Sequence, residues 1–486
     1  MSASAQETKQ SQDLSVELNP VVVTGTGTHH RLKDTPTPVE VVTANDIKKA
    51  GITDFREAMT ALVPSLSFST NSMGDYLMLN GLSNKYVLIL INGKKLTGDS
   101  SNNIDLNRID MSNVKRIEVL KGAGSALYGS DAIGGVINII TNQPINDITV
   151  TSNTKVEERG QFTQTANVDI KTEKFASYTS YQRRQSDGWT LTRVDADGEA
   201  RDQHDANAFY TDNYTQMFQF APNDKLSMYV EGSYYDRTVK RQPEYLKYNL
   251  TYDAYSLGAG AKYNFNKRSY IQFDIKNDNY DTNYLYTNED GDNKVGDEVR
   301  QKRQHYYSGN LKSLFRFTEN TRTIFGVEYI QETLDRPSFN VDERAYTWAA
   351  YAQEEITLFK NLQIQAGLRY VYHETAKSNV TPKLAIMYRL GDFTIRGQYS
   401  AGFRAPGLDE LYKYSYSQRG TRAGTLSAGN KDLDAEKSNY GSINLEFNKK
   451  WLTVGVTGYI NDLRDMIVAR CLLYTSPSPR DRSLSR

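Results

Sequence analysis

The stretch Ser256–Lys276, SLGAGAKYNFNKRSYIQFDIK, decides the reading of the chain. Leu257, Ala259, Ala261, Tyr263 and Phe265 alternate with Ser256, Gly258, Gly260, Lys262 and Asn264. Asn266-Lys267-Arg268 then turns the chain, and Ile271, Phe273 and Ile275 alternate with Gln272, Asp274 and Lys276. A period of two puts apolar side chains on one face of a strand and polar ones on the other, so this is a long hairpin with a tight turn. Upstream, Leu226, Met228 and Val230 alternate with Ser227, Tyr229 and Glu231. Downstream, Leu362, Ile364, Ala366, Leu368, Tyr370 and Tyr372 alternate with Gln363, Gln365, Gly367 and Arg369. Long alternating segments joined in turn by tight turns and long polar loops predict a transmembrane antiparallel β-barrel over 145–470. A soluble β-sandwich or solenoid is the competing arrangement, and its strands are usually shorter.

Composition agrees with strands in lipid. The 486 residues carry 58 basic and 58 acidic side chains, so the net charge is zero and no nucleic-acid partner is expected. Tyrosines number 34 against 17 phenylalanines, a bias that suits surfaces where one end of the ring is apolar and the other wet. The mean hydropathy of −0.63 and the lack of a long apolar run exclude a spanning helix. They do not exclude a barrel, whose strands average apolar with polar. Cys471 is the single cysteine, so disulfides and thiolate metal sites are not expected before it.

Residues 1–17 read as a leader: Ala3-Ser4-Ala5 before Gln6 has the shape of a signal-peptide remnant, and 6–17 are polar with nothing to bury. Leu18-Asn19-Pro20-Val21-Val22-Val23-Thr24 is a short β-prone island followed by Gly25-Thr26-Gly27, with 18–26 forming that island and a linker. A small α/β domain follows over 27–144. Thr43-Ala44-Asn45-Asp46 is a capping box for a short helix ending near Gly51. Phe55, Ala58, Met59 and Leu62 share one helix face, and Pro64 ends that helix. Val87–Ile91 before Asn92-Gly93, Val114–Leu120 and Val136–Ile140 read as strands.

Several motifs in this domain resemble the plug of TonB-dependent outer-membrane receptors. They are Pro38-Val39-Glu40-Val41-Val42, Asp46-Ile47, Gly51-Ile52, Glu57-Ala58, Val63-Pro64-Ser65-Leu66 and Val87–Gly93. The strongest block is Arg116–Gly122, Ser125-Ala126-Leu127-Tyr128-Gly129 and Gly134–Thr141. Asn80-Gly81-Leu82 stands where the family usually has Arg-Gly. In the barrel portion Gly402-Phe403-Arg404-Ala405-Pro406, Glu410-Leu411-Tyr412, Asn430, Leu433 and Glu436-Lys437-Ser438 resemble a late-barrel block of the same family. Phe403–Pro406 is similar to haem receptors and Tyr128–Gly135 to cobalamin receptors, so neither fixes the ligand. Gly122, Gly124, Gly129, Gly134 and Gly135 fit compact turns packing a plug against a wall; no phosphate-binding loop is spelled out.

The resemblance implies a mainly β protein, with an α/β plug inside the barrel, that imports a bulky scarce nutrient such as a haem or siderophore iron chelate or a corrinoid. It implies that Leu18, Asn19, Pro20, Val21, Val22, Val23 and Thr24 form the TonB box, which adds as a strand to TonB in the periplasm. TonB would work with the proton-driven ExbB–ExbD complex, and the barrel with outer-membrane lipid. Apical plug loops Asn71, Ser72, Met73, Gly74, Asp75, Tyr76 and Asp99, Ser100, Ser101, Asn102, Asn103 are the candidate ligand contacts. Arg108, Arg116, Glu118 and Lys121 are expected to pair with charges on the barrel wall. No catalytic residue, cofactor or metal site is expected: His29, His30, His204, His305 and His373 make no H-E-x-x-H, and no G-x-S-x-G is present. A passive plugged porin or adhesion barrel without TonB coupling is the alternative, and an outer-membrane enzyme a third.

Strand patterning ends at Met466-Ile467-Val468, and the tail 471–486, with Pro477 and Pro479, cannot continue a strand. That tail is expected to be non-native. About 320 residues at about 20 per strand give roughly 14–16 strands, short of the 22 of plugged transporters, so the barrel is expected to be C-terminally truncated.

Overall fold

The computed structural model describes residues 20–71, 74–100, 103–194, 198–241, 246–417, 425–449 and 451–469. Both helices read from the sequence form. Thr43 caps Ala44–Lys49 with the reciprocal Asp46 contact, and Asp54 caps Phe55–Leu62. Their apolar faces bury Ile47, Phe55, Ala58 and Met59 against Ile89, Ile117, Val119, Ile137 and Ile139. Those five residues come from a sheet ordered Val39–Thr43, Val114–Lys121, Gly135–Thr141, Val87–Ile91, Lys94–Lys95. Only the pairing of Gly135–Thr141 with Val87–Ile91 is parallel; Asn92-Gly93, both at positive φ, makes the hairpin turn after it. Val39–Thr43 is an edge of this sheet.

Around this plug runs a fifteen-stranded antiparallel sheet from Ile148–Val156 to Leu452–Arg464. Its strands pair in chain order, except that Trp189–Val194 with Ala200–Ala206 and Tyr414–Ser417 with Thr425–Ala428 form separate hairpins between wall strands. The wall strands reach 19 residues at Tyr248–Asn266, well beyond ordinary sandwich strands and longer than the roughly 9–11 residues that a tilted strand needs to span lipid. Among the described residues no helix is long and apolar enough to cross a membrane.

The outward face is apolar. Val230, Leu257, Phe273, Ile275, Val327, Leu368, Ile386 and Leu445 are all exposed. Tyr181, Tyr214, Tyr234 and Tyr255 lie directly opposite one another on four adjacent strands and form one aromatic row. Phe175 and Phe220, and Phe265 and Phe315, mark the other end, near the tight turns. Two aromatic rows bounding an apolar band are what the two lipid interfaces select. The inward face is polar and buried: Gln353, Gln365, Arg369, Lys383 and Arg396 all face the plug.

Candidate functional site

Residues 20–37 reach the wall at its tight-turn end. Arg389, beside the turn at Gly391, donates to Asp34 at 2.6 Å, and His30 meets Glu355 at 2.8 Å. The opposite end of the plug sits under the long loops, where Asp105 meets Tyr235 and Tyr280. The N-terminal segment therefore lies at the short-turn rim of the wall, and the plug loops at the long-loop rim.

Of the expected TonB box, Leu18 and Asn19 lie outside the described residues, and Pro20–Thr24 are docked. Val21 and Val22 pair with Arg31 and His30, and the Pro20 carbonyl accepts from the Leu32 amide at 2.8 Å. Val22 and Thr24 are fully buried. The Glu118 carboxylate, also fully buried, takes the Val23 amide at 2.9 Å, the Thr24 amide at 2.8 Å and the Thr24 hydroxyl at 2.7 Å on Oε2. Its Oε1 takes Arg116 Nε at 2.7 Å. A carboxylate that accepts from a guanidinium and two amides has its acceptor sites filled without water. The wall holds the next residues by their backbone carbonyls: Lys383 on Gly25 at 2.8 Å, Gln353 on Thr26 at 2.6 Å, Lys312 on Gly27 at 2.5 Å.

The expected plug–wall ion pairs are corrected in three of four places. Arg108 donates to Asp278 of the wall at 2.7 Å. Arg116 and Glu118, two apart on one strand and so on one face, pair with each other, and Lys121 pairs with Glu40 inside the plug at 2.8 Å. The wall is met instead by residues that the sequence reading did not single out. Lys94 meets Glu231 at 2.5 Å, Lys95 meets Glu332 at 3.0 Å, Asp54 meets Arg184 at 2.6 Å, and Asp105 meets Arg237 at 3.6 Å. Lys94-Lys95 directly after the Asn92-Gly93 turn was the available signal, because two cations closing an apolar strand need partners.

At the apex, Ser72, Met73, Ser101 and Asn102 lie outside the described residues. Asn71 and Gly74 close the hairpin of Leu66–Asn71 with Gly74–Leu79, and Tyr76 is half-buried on its second strand. Ser100 pairs with Asn103. Asp99 is turned to the wall, with Lys302 on its carboxylate at 2.6 Å and its amide on Gln304 at 2.9 Å. Asn103 is buried and takes the Asn84 amide at 2.5 Å. Asp99 and Asn103 thus anchor the loop they belong to. Just beyond it on the inner wall, Tyr248 stacks on Tyr284 with centroids 3.7 Å apart, Tyr286 meets Tyr248 edge-on at 5.8 Å, and the Arg241 guanidinium lies 5.8 Å from the Tyr248 ring.

Between plug and wall lies a cavity of about 800 Å³. It is lined by Asp99, Tyr306, His373, Arg404 and Glu410 toward the loops and by Val23, Gly27, His29, Lys262 and Lys312 toward the tight turns. Among the described residues no group of three or more His, Cys, Asp or Glu is placed to hold a metal.

The plug and the strand wall are each matched by a known family model. The profile described as "TonB-dependent Receptor Plug Domain" matches residues 31–136, and "TonB dependent receptor-like, beta-barrel" matches 162–480. The chain belongs to the TonB-dependent receptor family. Among its relatives is the ferric enterobactin receptor PirA of Pseudomonas aeruginosa, 26% identical, with 93% of this chain and 71% of that protein aligned. The vitamin B12 transporter BtuB of Vibrio cholerae is 26% identical over 92% of this chain and 71% of its own length. In fold, the receptor resembles the siderophore receptor PirA of Acinetobacter baumannii, with a TM-score of 0.73 at 18% identity, covering 88% of this chain and 71% of that one. The relatives are transport receptors for siderophores or cobalamin, not enzymes.

Proposed function

We propose that this receptor sits in the outer membrane of a Gram-negative bacterium and imports a bulky, scarce iron chelate or corrinoid in a TonB-driven step. The observation that carries this reading is the docked segment Pro20–Thr24, held by Glu118 and by a two-residue β-pairing instead of being built into the plug sheet. Such a segment can be released intact and offer its edge to TonB, which works with ExbB–ExbD. Ligand would arrive from outside on the apical loops 71–76 and 99–103, with Tyr76 and the Tyr248–Tyr284–Tyr286–Arg241 group as contacts. Aromatic faces with a guanidinium suit a large, conjugated or anionic ligand. Relatives that bind ferric enterobactin and vitamin B12 bracket the same ligand classes.

The test is uptake of iron-55 ferric chelates and of labelled cobalamin by cells whose own receptors are deleted. Cells producing the receptor should accumulate one of these ligands only when TonB is present. Val22→Pro removes a backbone donor from the box and should abolish uptake while surface binding of the ligand persists. Uptake indifferent to both TonB and Val22→Pro would leave a passive barrel.

A further inference from the structure

The inner end of the cavity is charged in a way the docked segment does not explain. Four nitrogen-bearing side chains line it together: His29 and Arg116 from the plug, Lys262 and Lys312 from the wall. Lys262 and Lys312 lie on inward-facing positions of their strands, in phase with Gly260 and with Asn310 and Tyr306. That all four face one another shows in His29: burial, then the positive charges of Lys262, Arg116 and Lys312, hold its imidazole below the ordinary value.

Neither wall lysine has a carboxylate of the described residues within ion-pair reach. Lys262 lies over the Tyr270 ring at 4.0 Å, and Lys312 donates to the Gly27 carbonyl. The negative groups that line or flank this end are already engaged. Glu118 holds Arg116 and the docked segment, and Asp274 accepts from the Tyr229 hydroxyl and from Gln272 at 2.7 Å. Glu355, farther along the wall, is taken by His30. Asp274 and Glu355 act on Lys312 only from beyond ion-pair distance, and half-buried ammonium groups without a direct ion-pair partner are unfavourable unless something compensates for them.

We propose that Arg116, Lys262 and Lys312 form an exit site for a polyanionic chelate passing from the cavity to the periplasm, closed from below by His29 of the docked segment. The inference rests on the import reading above and names the substrate class it favours. The floor of the site is the docked segment itself, because Val23, Gly27 and His29 line the same cavity. With the segment docked, Lys262 has no charged acceptor and Lys312 has only the Gly27 carbonyl, so an anion arriving from above supplies one; when the segment is drawn away Lys312 loses that carbonyl as well and the anion is held the more firmly. In a partly dry cavity that attraction is stronger than in water. Gln272, Gln219, Ser227 and Asn138 line the approach and can hydrogen-bond an oxygen-rich ligand as it descends. A neutral ligand of the same size gains none of the charge term, so the site holds anions against back-diffusion and leaves neutral molecules indifferent.

The test is lysine footprinting on the full chain in detergent, with a small amine-acetylating reagent and mass spectrometry. The probe is a synthetic trianionic ferric tris-catecholate, with neutral cyanocobalamin as the comparison and exposed Lys225 in a tight turn as the internal control. The catecholate should lower modification of Lys262 and Lys312 by about threefold or more, with Lys225 unchanged, and cyanocobalamin should not. Lys262→Gln, which leaves the Lys312–Gly27 contact in place, should weaken that protection of Lys312 about tenfold in probe concentration. Equal modification with and without the catecholate, or protection by cyanocobalamin alone, would overturn the site. Protection is read without transport, so a receptor that shows it yet imports nothing supports the site and sinks the import reading instead.

Discussion

Glu118 has no contact with solvent, yet it carries four donors, three of them from a segment ninety-four or ninety-five positions earlier in the chain. Its strand, Val114–Lys121, puts Ile117 and Val119 into the helix-facing core and Arg116 and Glu118 on the opposite face. The arginine fills one oxygen of the carboxylate, and the other oxygen keeps the N-terminal segment docked. Hydrogen bonds to a charged acceptor contribute about 1.5–3 kcal/mol each, and a neutral amide in the same place retains part of that. Glu118→Gln should therefore shift the docked–released balance of Pro20–Thr24 by about 1–2 kcal/mol, roughly a 5- to 30-fold change. Affinity of the purified receptor for the periplasmic domain of TonB, measured without ligand, should rise by that factor. An unchanged affinity would mean the latch lies elsewhere. The sequence pointed at Arg116 and Glu118 as charges with work to do, but it set them against the barrel wall. Period two says that they share a face, and nothing local says whether that face meets a wall strand or a segment folded back from the N-terminus.

The loop Thr97–Asp105 shows the same limit one level up. Its place at the plug apex was legible from the order of the plug motifs, while its anchoring was not, because the partners come from strands more than a hundred residues away. Asp105 takes the Tyr235 hydroxyl at 2.5 Å, the Tyr280 hydroxyl at 2.9 Å and Asn107 at 2.8 Å, with Arg237 at 3.6 Å. Gly98, at positive φ, lets the chain pass under the Tyr280 ring, where a Cβ would stand 2.6 Å from ring carbons. Burial pushes the Asp105 carboxyl up, but Arg237, the two phenols and Asn107 outweigh it and hold it below its ordinary value. A depressed carboxylate stabilises the anchored loop fully above its unfolded value of about 3.9, and the contribution disappears only as pH falls through the lower folded value. Hydrogen exchange of the loop should therefore stay slow from pH 7 down to about pH 4 and quicken only below it. Asp105→Asn should loosen the loop at every pH above about 4, and quickening that begins near pH 6 in the unaltered receptor would contradict the assignment. The elements that were read correctly, such as the Thr43 cap, the Phe55–Leu62 helix and the Asn92-Gly93 turn, are those whose signals are complete within a dozen residues.

At the scale of the whole molecule, the wall strands were legible because lipid forces one face of each to be apolar, whereas the plug–wall seam is polar on both sides and has no period of its own. The seam also decides how a passage could open. Removing the entire plug breaks Arg108–Asp278, Lys94–Glu231, Asp54–Arg184 and Lys95–Glu332 together. Drawing on the N-terminus breaks contacts in sequence: the Val21–Arg31 and Val22–His30 pairing first, then Glu118, then the carbonyls of Gly25, Thr26 and Gly27, then His30–Glu355 and Asp34–Arg389, then the Thr37–Gln365 bond, and last the edge strand Val39–Thr43. Bonds loaded one at a time yield at lower force than the same number loaded together, and Val23, Gly27 and His29 are the floor of the 800 Å³ cavity, so their departure opens it to the periplasm. A cross-link beyond the edge strand separates the two routes. A Cβ built on Gly402 of the wall stands 3.2 Å from that of Ala123 in the plug, slightly inside the usual disulfide spacing of about 3.5–4.5 Å, and the nearby Ser438 hydroxyl can rotate aside. With Cys471→Ser to remove the native thiol, oxidised Ala123→Cys/Gly402→Cys should keep most of its TonB-dependent uptake, because residues 20–43 can still leave. If uptake stops on oxidation and returns on reduction, the plug must leave or turn as one body, and stepwise withdrawal is wrong.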